Sequence, residues 1–318
     1  MSVKLIKKSF FLFFGLCLIF FVSNEFMNNY DQIKNSFSNL SIFSILAAIS
    51  LYFISHFFRV LRLVVLSSDS LISIKEMAME QFKANGVNLI IPFRLGESYR
   101  VIVFKKFFGS YFRSFSILLC ERVLDITLIS LILIVATYFS DVQFFFMKNI
   151  IYISIIIMIL LLLIYFVLDE FLLIIHKIFL EKNINKINIS IVKFSGSLIK
   201  IIEETKNIFN SKLASCLAIT FMIWSCEILV FYTIFSHLEL SKFVMIFLSL
   251  SVAVSSLLPN GPAGYGGVQL AFYLVGTAVG LESLIIHSYS YNFFIFGSGI
   301  MVSGILFLVT FFNSLKSQ

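Results

Sequence analysis

Residues 86–100 read GVNLIIPFRLGESYR, which sets two arginines, a glutamate, a proline and a glycine inside a chain that is 59% hydrophobic. Helix breakers and charges placed together in apolar surroundings are what an interrupted membrane helix contains. An uninterrupted span would satisfy its own backbone, so non-helical backbone at membrane depth has to be lined by protein or by a wet cavity. The rest of the chain bears on this reading. Its 318 residues are only 13% charged, mean hydropathy is +1.00, and apolar runs of about 20 residues recur. A soluble fold is excluded on that composition, and the long continuous runs do not fit the short alternating strands of a β-barrel.

Continuous apolar segments run over 10–27, 41–66, 114–139, 148–168, 212–236 and 284–312, each long enough to cross about 30 Å of hydrocarbon. Two further regions, 71–108 and 243–281, are interrupted in their middles by PFRLGE and PNGPAGYGG. Proline stops a helix and glycine permits a tight turn. Residues 243–258 and 268–281 would make helices of only about 24 and 21 Å, so two short arms meeting at the glycine-rich turn make a re-entrant hairpin. The same reading covers 71–108, whose first arm is amphipathic, with Lys75, Glu76, Glu80 and Lys83 among Ile74, Met77, Met79 and Phe82. The expected fold is an all-α polytopic membrane protein with about six transmembrane helices and two re-entrant helical hairpins. The hairpins enter from opposite sides, in an inverted-repeat-like layout.

Basic residues orient this threading. All of the 24 Lys and Arg except Lys34, Lys148, Lys242 and the span-embedded Arg122 fall on one side or in the first interrupted segment. By the positive-inside rule that side is the cytoplasm, and both termini lie there in the cell membrane. The N-terminal MSVKLIKKSFFLFFGLCLIFFV has the basic and apolar regions of a signal peptide without a small-x-small cleavage site, and reads as an uncleaved first span. Residues 1–318 are expected to form one transmembrane domain. Residues 169–211 serve as a cytoplasmic amphipathic linker between halves, with Ile191, Phe194, Leu198, Ile201 and Ile202 at helical spacing. Its Lys193, Lys200 and Lys206 either attract anionic lipid or form a solvated face.

Cys17, Cys120, Cys216 and Cys226 lie in apolar runs without paired spacing, and His56, His176, His237 and His287 are scattered singly. Neither a disulfide framework, nor a metal, nor a cofactor is implied. The chemistry concentrates in charges that are costly inside a bilayer, at about 2.5–3.5 kcal/mol each on insertion scales. In CERVLD, Glu121 and Asp125 share a helical face and Arg122 reaches Asp125 at i+3. The remaining carboxylate needs a cation from Arg94 or Arg100 in the interrupted segment, or from Arg59 and Arg62 near the end of the second span. Such a cluster either lines a substrate site or pins a re-entrant loop. Glu227, a lone acid in the fifth span, is either a coupling-proton site or a residue hydrogen-bonded in the bundle. Guanidinium pairs bidentately with phosphate and stays charged when partly desolvated, so arginines around a freed backbone suit an anionic head group. Tyr265, at the tip of the second loop, is a gate or an interfacial anchor.

These residues carry a resemblance. NLIIPFRLGESYR, the downstream ERVLD and the later LPNGPAGYGGVQLAFYLVGTAVGL resemble the flippase-like transmembrane family typified by the membrane region of lysylphosphatidylglycerol synthases, over nearly the whole chain. Asn88, Pro92, Gly96, Glu97, Arg100, Glu121, Arg122 and Asp125 match its first motif. Pro259, Pro262, Gly264, Gly266 and Gly267 match the second, beside Asn260, while Gln269 stands where the family pattern has an acid. The resemblance implies a membrane domain that binds or moves a lipid made by a separate lipid- or glycan-synthesising enzyme. The synthase's soluble aminoacyl-transferring domain has no counterpart in these 318 residues, which favours a transporter over an enzyme. Three functions are open: a translocase for a phospholipid or polyprenyl-linked lipid, an intramembrane transferase using Glu97, Glu121 or Asp125 as general base, and a non-transporting assembly subunit of a glycan or lipid-modifying complex. A nucleic-acid partner is not expected.

Overall fold

The computed structural model describes residues 20, 23–67, 73–90, 95–138, 145–181, 185–255, 260–261 and 264–316. Most of the expected first span, Cys17, and the site candidates Pro92, Arg94, Pro259 and Pro262 lie outside the described residues. Those described form α1 (Tyr30–Ser38), α2 (Ile42–Leu66), α3 (Ile74–Ile90), α4 (Leu95–Phe108), α5 (Tyr111–Tyr138), α6 (Phe145–Leu180), α7 (Lys186–Phe235), α8 (Lys242–Ser255), α9 (Gly267–Val279) and α10 (His287–Lys316). There is no strand among them.

The helix starts are written locally. Ser41, Ser110, Asn185 and Ser241 each precede a helix, and the side-chain oxygen of each accepts the backbone N–H three residues on, at 3.0, 3.0, 2.7 and 3.3 Å. Each satisfies one of the N–H groups that a first turn leaves unpaired. The second interrupted region is broken: α8 ends at Ser255, Asn260 and Gly261 are non-helical, and α9 begins at Gly267, whereas residues 91–94, between α3 and α4, lie outside the described residues. α8 and α9 pack on each other.

The protein is an all-helical membrane protein. Two described helices, Ile42–Leu66 and Lys186–Leu238, are long and apolar enough to cross a membrane, and the pair Ser154–Leu161 and Tyr165–Leu180, bent by 51°, adds a third when read as one span. α5 is 28 residues long, but Glu121, Arg122 and Asp125 in its middle keep it from qualifying by composition. Residues 169–211, expected as an amphipathic linker, have no helix of their own. They divide between α6 and α7, and α7 runs unbroken for 50 residues, about 75 Å. No proline interrupts it and its one glycine, Gly196, is tolerated in mid-helix.

The described residues group into two compact units. The first draws on Met1–Phe53, Gln81–Tyr99 and Glu227–Gln318, and the second on Ile54–Glu80 and Arg100–Cys226. α2, α3, α4 and α7 therefore each give residues to both. The core of the first unit is aromatic: Phe231 lies 4.4 Å from Tyr291 between ring centroids, and Phe235 lies 5.5 Å from Phe272, over Met245 and Leu248. Such offset and edge contacts add about 0.5–1.5 kcal/mol per pair beyond burial. Within this unit α3 packs on α10, where the Ser303 hydroxyl donates to the Phe82 carbonyl at 3.4 Å. The core of the second unit joins Leu63 and Leu66 to Phe104, Ile117, Leu124 and Phe209, with Cys120 and Cys216 packed among them as free thiols. In the same unit α6 and α7 form a helical hairpin. Leu172 packs with Ile199 and Ile202, Lys206 donates to Asp169 at 2.8 Å, and Ser195 meets His176 at 2.9 Å, while Phe194 stays exposed.

Candidate functional site

The second unit buries a network of charges. On α5, Glu121 and Asp125 are each 1% exposed, and on α2 so is Arg62. Arg62 grips Asp125 with both terminal nitrogens, Nη1 to Oδ1 at 2.6 Å and Nη2 to Oδ2 at 3.2 Å, the forked geometry that suits guanidinium to carboxylate. Its Nη1 also donates to the Thr220 hydroxyl at 3.0 Å, and its Nε stands 3.9 Å from Glu121. Arg100, on α4, donates from Nη2 to Glu121 Oε2 at 2.6 Å and stacks over the Phe104 ring. Arg122 reaches Asp125 at 3.4 Å from the next turn of α5 and remains a quarter exposed.

Helix geometry explains why these groups meet. The i, i+4 spacing of Glu121 and Asp125 turns both carboxylates to one side of α5, and the same spacing sets Thr220 and Trp224 together on α7. Trp224 donates its indole N–H to Asp125 Oδ1 at 3.2 Å, and the Arg59 guanidinium lies 5.9 Å from the centre of its ring. Asp125 is thus held by two arginines and an indole, and Glu121 chiefly by Arg100. The local Arg122 contact read from the sequence is present, but the closer hold on Asp125 comes from Arg62. Breaking such a buried pair costs about 3–5 kcal/mol.

Thr220 and Trp224 were not among the residues expected from sequence. The signal was available: Trp224 is the only tryptophan of the chain, and it lies deep in an apolar helix instead of in the interfacial belt that tryptophans favour. Trp224→Phe keeps the ring beneath Arg59 and removes the N–H. Its expected cost is about 1.5–3 kcal/mol, the worth of a hydrogen bond to a charge, read as a lowered melting temperature in detergent. A variant that melts with the wild type would mean that the indole bond contributes nothing.

The remaining candidates belong to the first unit. Asn88 lies against Gly96 at the start of α4, and Glu97 follows in that first turn. In the second loop Gly264 and Gly266 hold φ of 83° and 89°, values that only glycine adopts without strain. The Gly261 N–H donates to the Tyr265 carbonyl at 2.9 Å, and the Asn260 amide donates to the Ser255 carbonyl at 2.8 Å. Gln269 accepts the Gly266 N–H at 2.8 Å, so its side-chain oxygen caps α9. Gly267 faces the Asn260 carboxamide, and Tyr265 is buried, in edge contact with Phe26.

Comparison with curated proteins, and with solved structures, finds no match. The profile of one family, described as the lysylphosphatidylglycerol synthase TM region, matches residues 4–312. That range holds every charge of the buried network and both interrupted segments, and the chain belongs to the lysylphosphatidylglycerol synthase transmembrane family.

Proposed function

We propose that this chain binds the anionic head group of a membrane lipid and moves that lipid between leaflets. One observation carries the reading: three guanidinium groups, Arg62, Arg100 and Arg122, converge on the buried Glu121 and Asp125, with Arg59 beside them over the Trp224 ring. Guanidinium groups gathered inside an apolar helical unit suit a phosphate, which they can pair bidentately while staying charged. Arg122 is the partner best suited to exchange, because its contact with Asp125 is long and its side chain is partly exposed. Family membership supports a role in lipid modification or translocation.

In this reading the segments around 91–94 and 256–266 are re-entrant hairpins entering from opposite faces, with both termini in the cytoplasm. The lipid is a phospholipid or a polyprenyl-linked lipid supplied by a separate enzyme. Glu121 and Asp125 spend their oxygens on arginines, so neither is free to act as a general base, and a transferase gains no support from them.

The test is reconstitution into vesicles with a tail-labelled anionic phospholipid, scoring loss of label from one leaflet. Wild-type protein accelerates the loss over empty vesicles, and Arg122→Gln lowers the rate at least about tenfold, the worth of one charge-assisted hydrogen bond. Lys206→Gln, which removes a quarter-exposed pair on the α6–α7 hairpin, leaves the rate unchanged. Wild-type vesicles no faster than empty ones would overturn the reading.

A further inference from the structure

A second polar surface lies in the first unit, on α3. Gln81, Asn85 and Asn88 follow one another at i, i+4 and i+7 and so fall within about 60° of each other around the helix. Each has a buried polar atom without a hydrogen-bond partner: Gln81 Oε1, Asn85 Nδ2 and Asn88 Oδ1. Gln81 is only 4% exposed.

The flanks of this stripe are occupied. On one side Phe82, Gly86 and Leu89 meet Ser303 and Gly299 of α10. On the other, the Ala84 carbonyl and Asn88 bear on Gly96 of α4. The carboxamides therefore line the angle between α10 and the first turn of α4. Lys75, Glu76, Glu80 and Lys83 project from other angles of α3, so the stripe carries no charge of its own.

An unmet hydrogen bond on a buried group costs about 1–3 kcal/mol, and membrane surroundings offer no water in exchange. Leucine or alanine would pack here without that cost. A carboxamide offers a donor at one end and an acceptor at the other, and rotation exchanges them. A hydroxyl is likewise donor and acceptor at once, so a row of carboxamides complements a row of hydroxyls. A phosphate offers acceptors only, and a substituted ammonium has no acceptor.

We propose that Gln81, Asn85 and Asn88 form a hydrogen-bonding site for the hydroxyl groups of a sugar or polyol carried on a lipid head group. The inference rests on the reading that the chain handles lipid head groups, and it names a substrate class. Gln81 and Asn85 are the residues to test, because Asn88 also borders Gly96 and supports the start of α4.

The experiment compares two lipids of equal charge, phosphatidylinositol and phosphatidylmethanol, which differ in the hydroxyls of the head group. Full-length protein in detergent is titrated with each, and lipid-induced stabilisation against heat gives the half-saturating concentration. Wild-type protein is expected to favour phosphatidylinositol by about tenfold or more, roughly one net hydrogen bond or better. The double variant Gln81→Leu, Asn85→Leu is expected to bring that preference close to unity while its affinity for phosphatidylmethanol stays the same. A wild-type protein that binds both lipids equally overturns the proposal and leaves the anionic-lipid reading intact. So does a double variant that keeps the preference and changes only in melting temperature, the mark of a packing role. Binding of neither lipid overturns the proposal together with the reading beneath it.

Discussion

Asp125→Ala is expected to lower the melting temperature of the detergent-solubilised protein by about 10 °C or more. The substitution leaves Arg62 buried with its forked partner gone, and it takes from Trp224 and Arg122 the acceptor they share. A buried charge stripped of its partner costs about 3–5 kcal/mol, and each kcal/mol shifts the midpoint of a chain this size by about 2–4 °C. The cost belongs to the unpaired cation and not to the lost contact alone. Removing both charges with apolar groups of similar volume, as in Arg62→Met with Asp125→Leu, is therefore expected to recover most of the loss. Asp125→Ala melting within about 1 kcal/mol of the wild type would show that Arg62 finds other partners and that the network is not tightly built. Recovery of stability by the double variant without recovery of lipid movement would separate the structural part of the network from its transport part.

Two glycines in the first turns of α4 and α9 give the second large effect, and they are expected to respond differently to rescue. A Cβ on Gly267 would lie 2.5 Å from Asn260 Oδ1, and the nearest atoms around it all belong to that one side chain. Gly267→Ala should therefore lose folded protein, and adding Asn260→Ala should return much of it. A Cβ on Gly96 would overlap both the Asn88 carboxamide and the backbone carbonyl of Ala84. Side chains can be trimmed but a carbonyl in the α3 ladder cannot, so Gly96→Ala should remain defective even when Asn88→Ala accompanies it. Overpacking of this kind costs about 1–3 kcal/mol or more. Yield of monodisperse protein after detergent extraction reads all four variants. Rescue of Gly96→Ala by Asn88→Ala would show that the two helices part easily at this point.

The two halves of the chain echo each other at these breaks. In each, the first turn of a short helix holds a glycine against an asparagine from the preceding segment, Gly96 against Asn88 and Gly267 against Asn260. In each, the third residue of that helix bears a carboxyl or carboxamide, Glu97 in α4 and Gln269 in α9. Gln269 shows what such a residue does at a helix start, since it accepts the Gly266 N–H. A glutamate there would make the same bond, so the amide expected from the resemblance to replace an acid keeps the cap while changing the charge.

Much of this was legible beforehand, for identifiable reasons. The break at PNGPAGYGG follows from the local chemistry of proline and glycine. The sharing of a face by Glu121 and Asp125 follows from helical periodicity alone. The capping serines and Asn185 act on residues three positions away. The continuity of α7 was missed because residues 186–211 are amphipathic and those that follow are apolar. Hydropathy divides the two stretches, while the backbone, meeting no breaker, does not.

By itself, then, the amino-acid sequence determined that this is a helical membrane protein, where its helices break and cap, and which charges would have to be reconciled inside it. Local sterics, periodicity and the cost of charge in hydrocarbon act over a few residues and can be read in order along the chain. Only the tertiary structure decided that Arg62 holds Asp125, that Arg100 holds Glu121, and that Thr220 and Trp224 complete the network. Those partners lie tens of residues to more than a hundred apart along the chain. Which arginine reaches which carboxylate depends on how the helices pack, and no local periodicity carries that information.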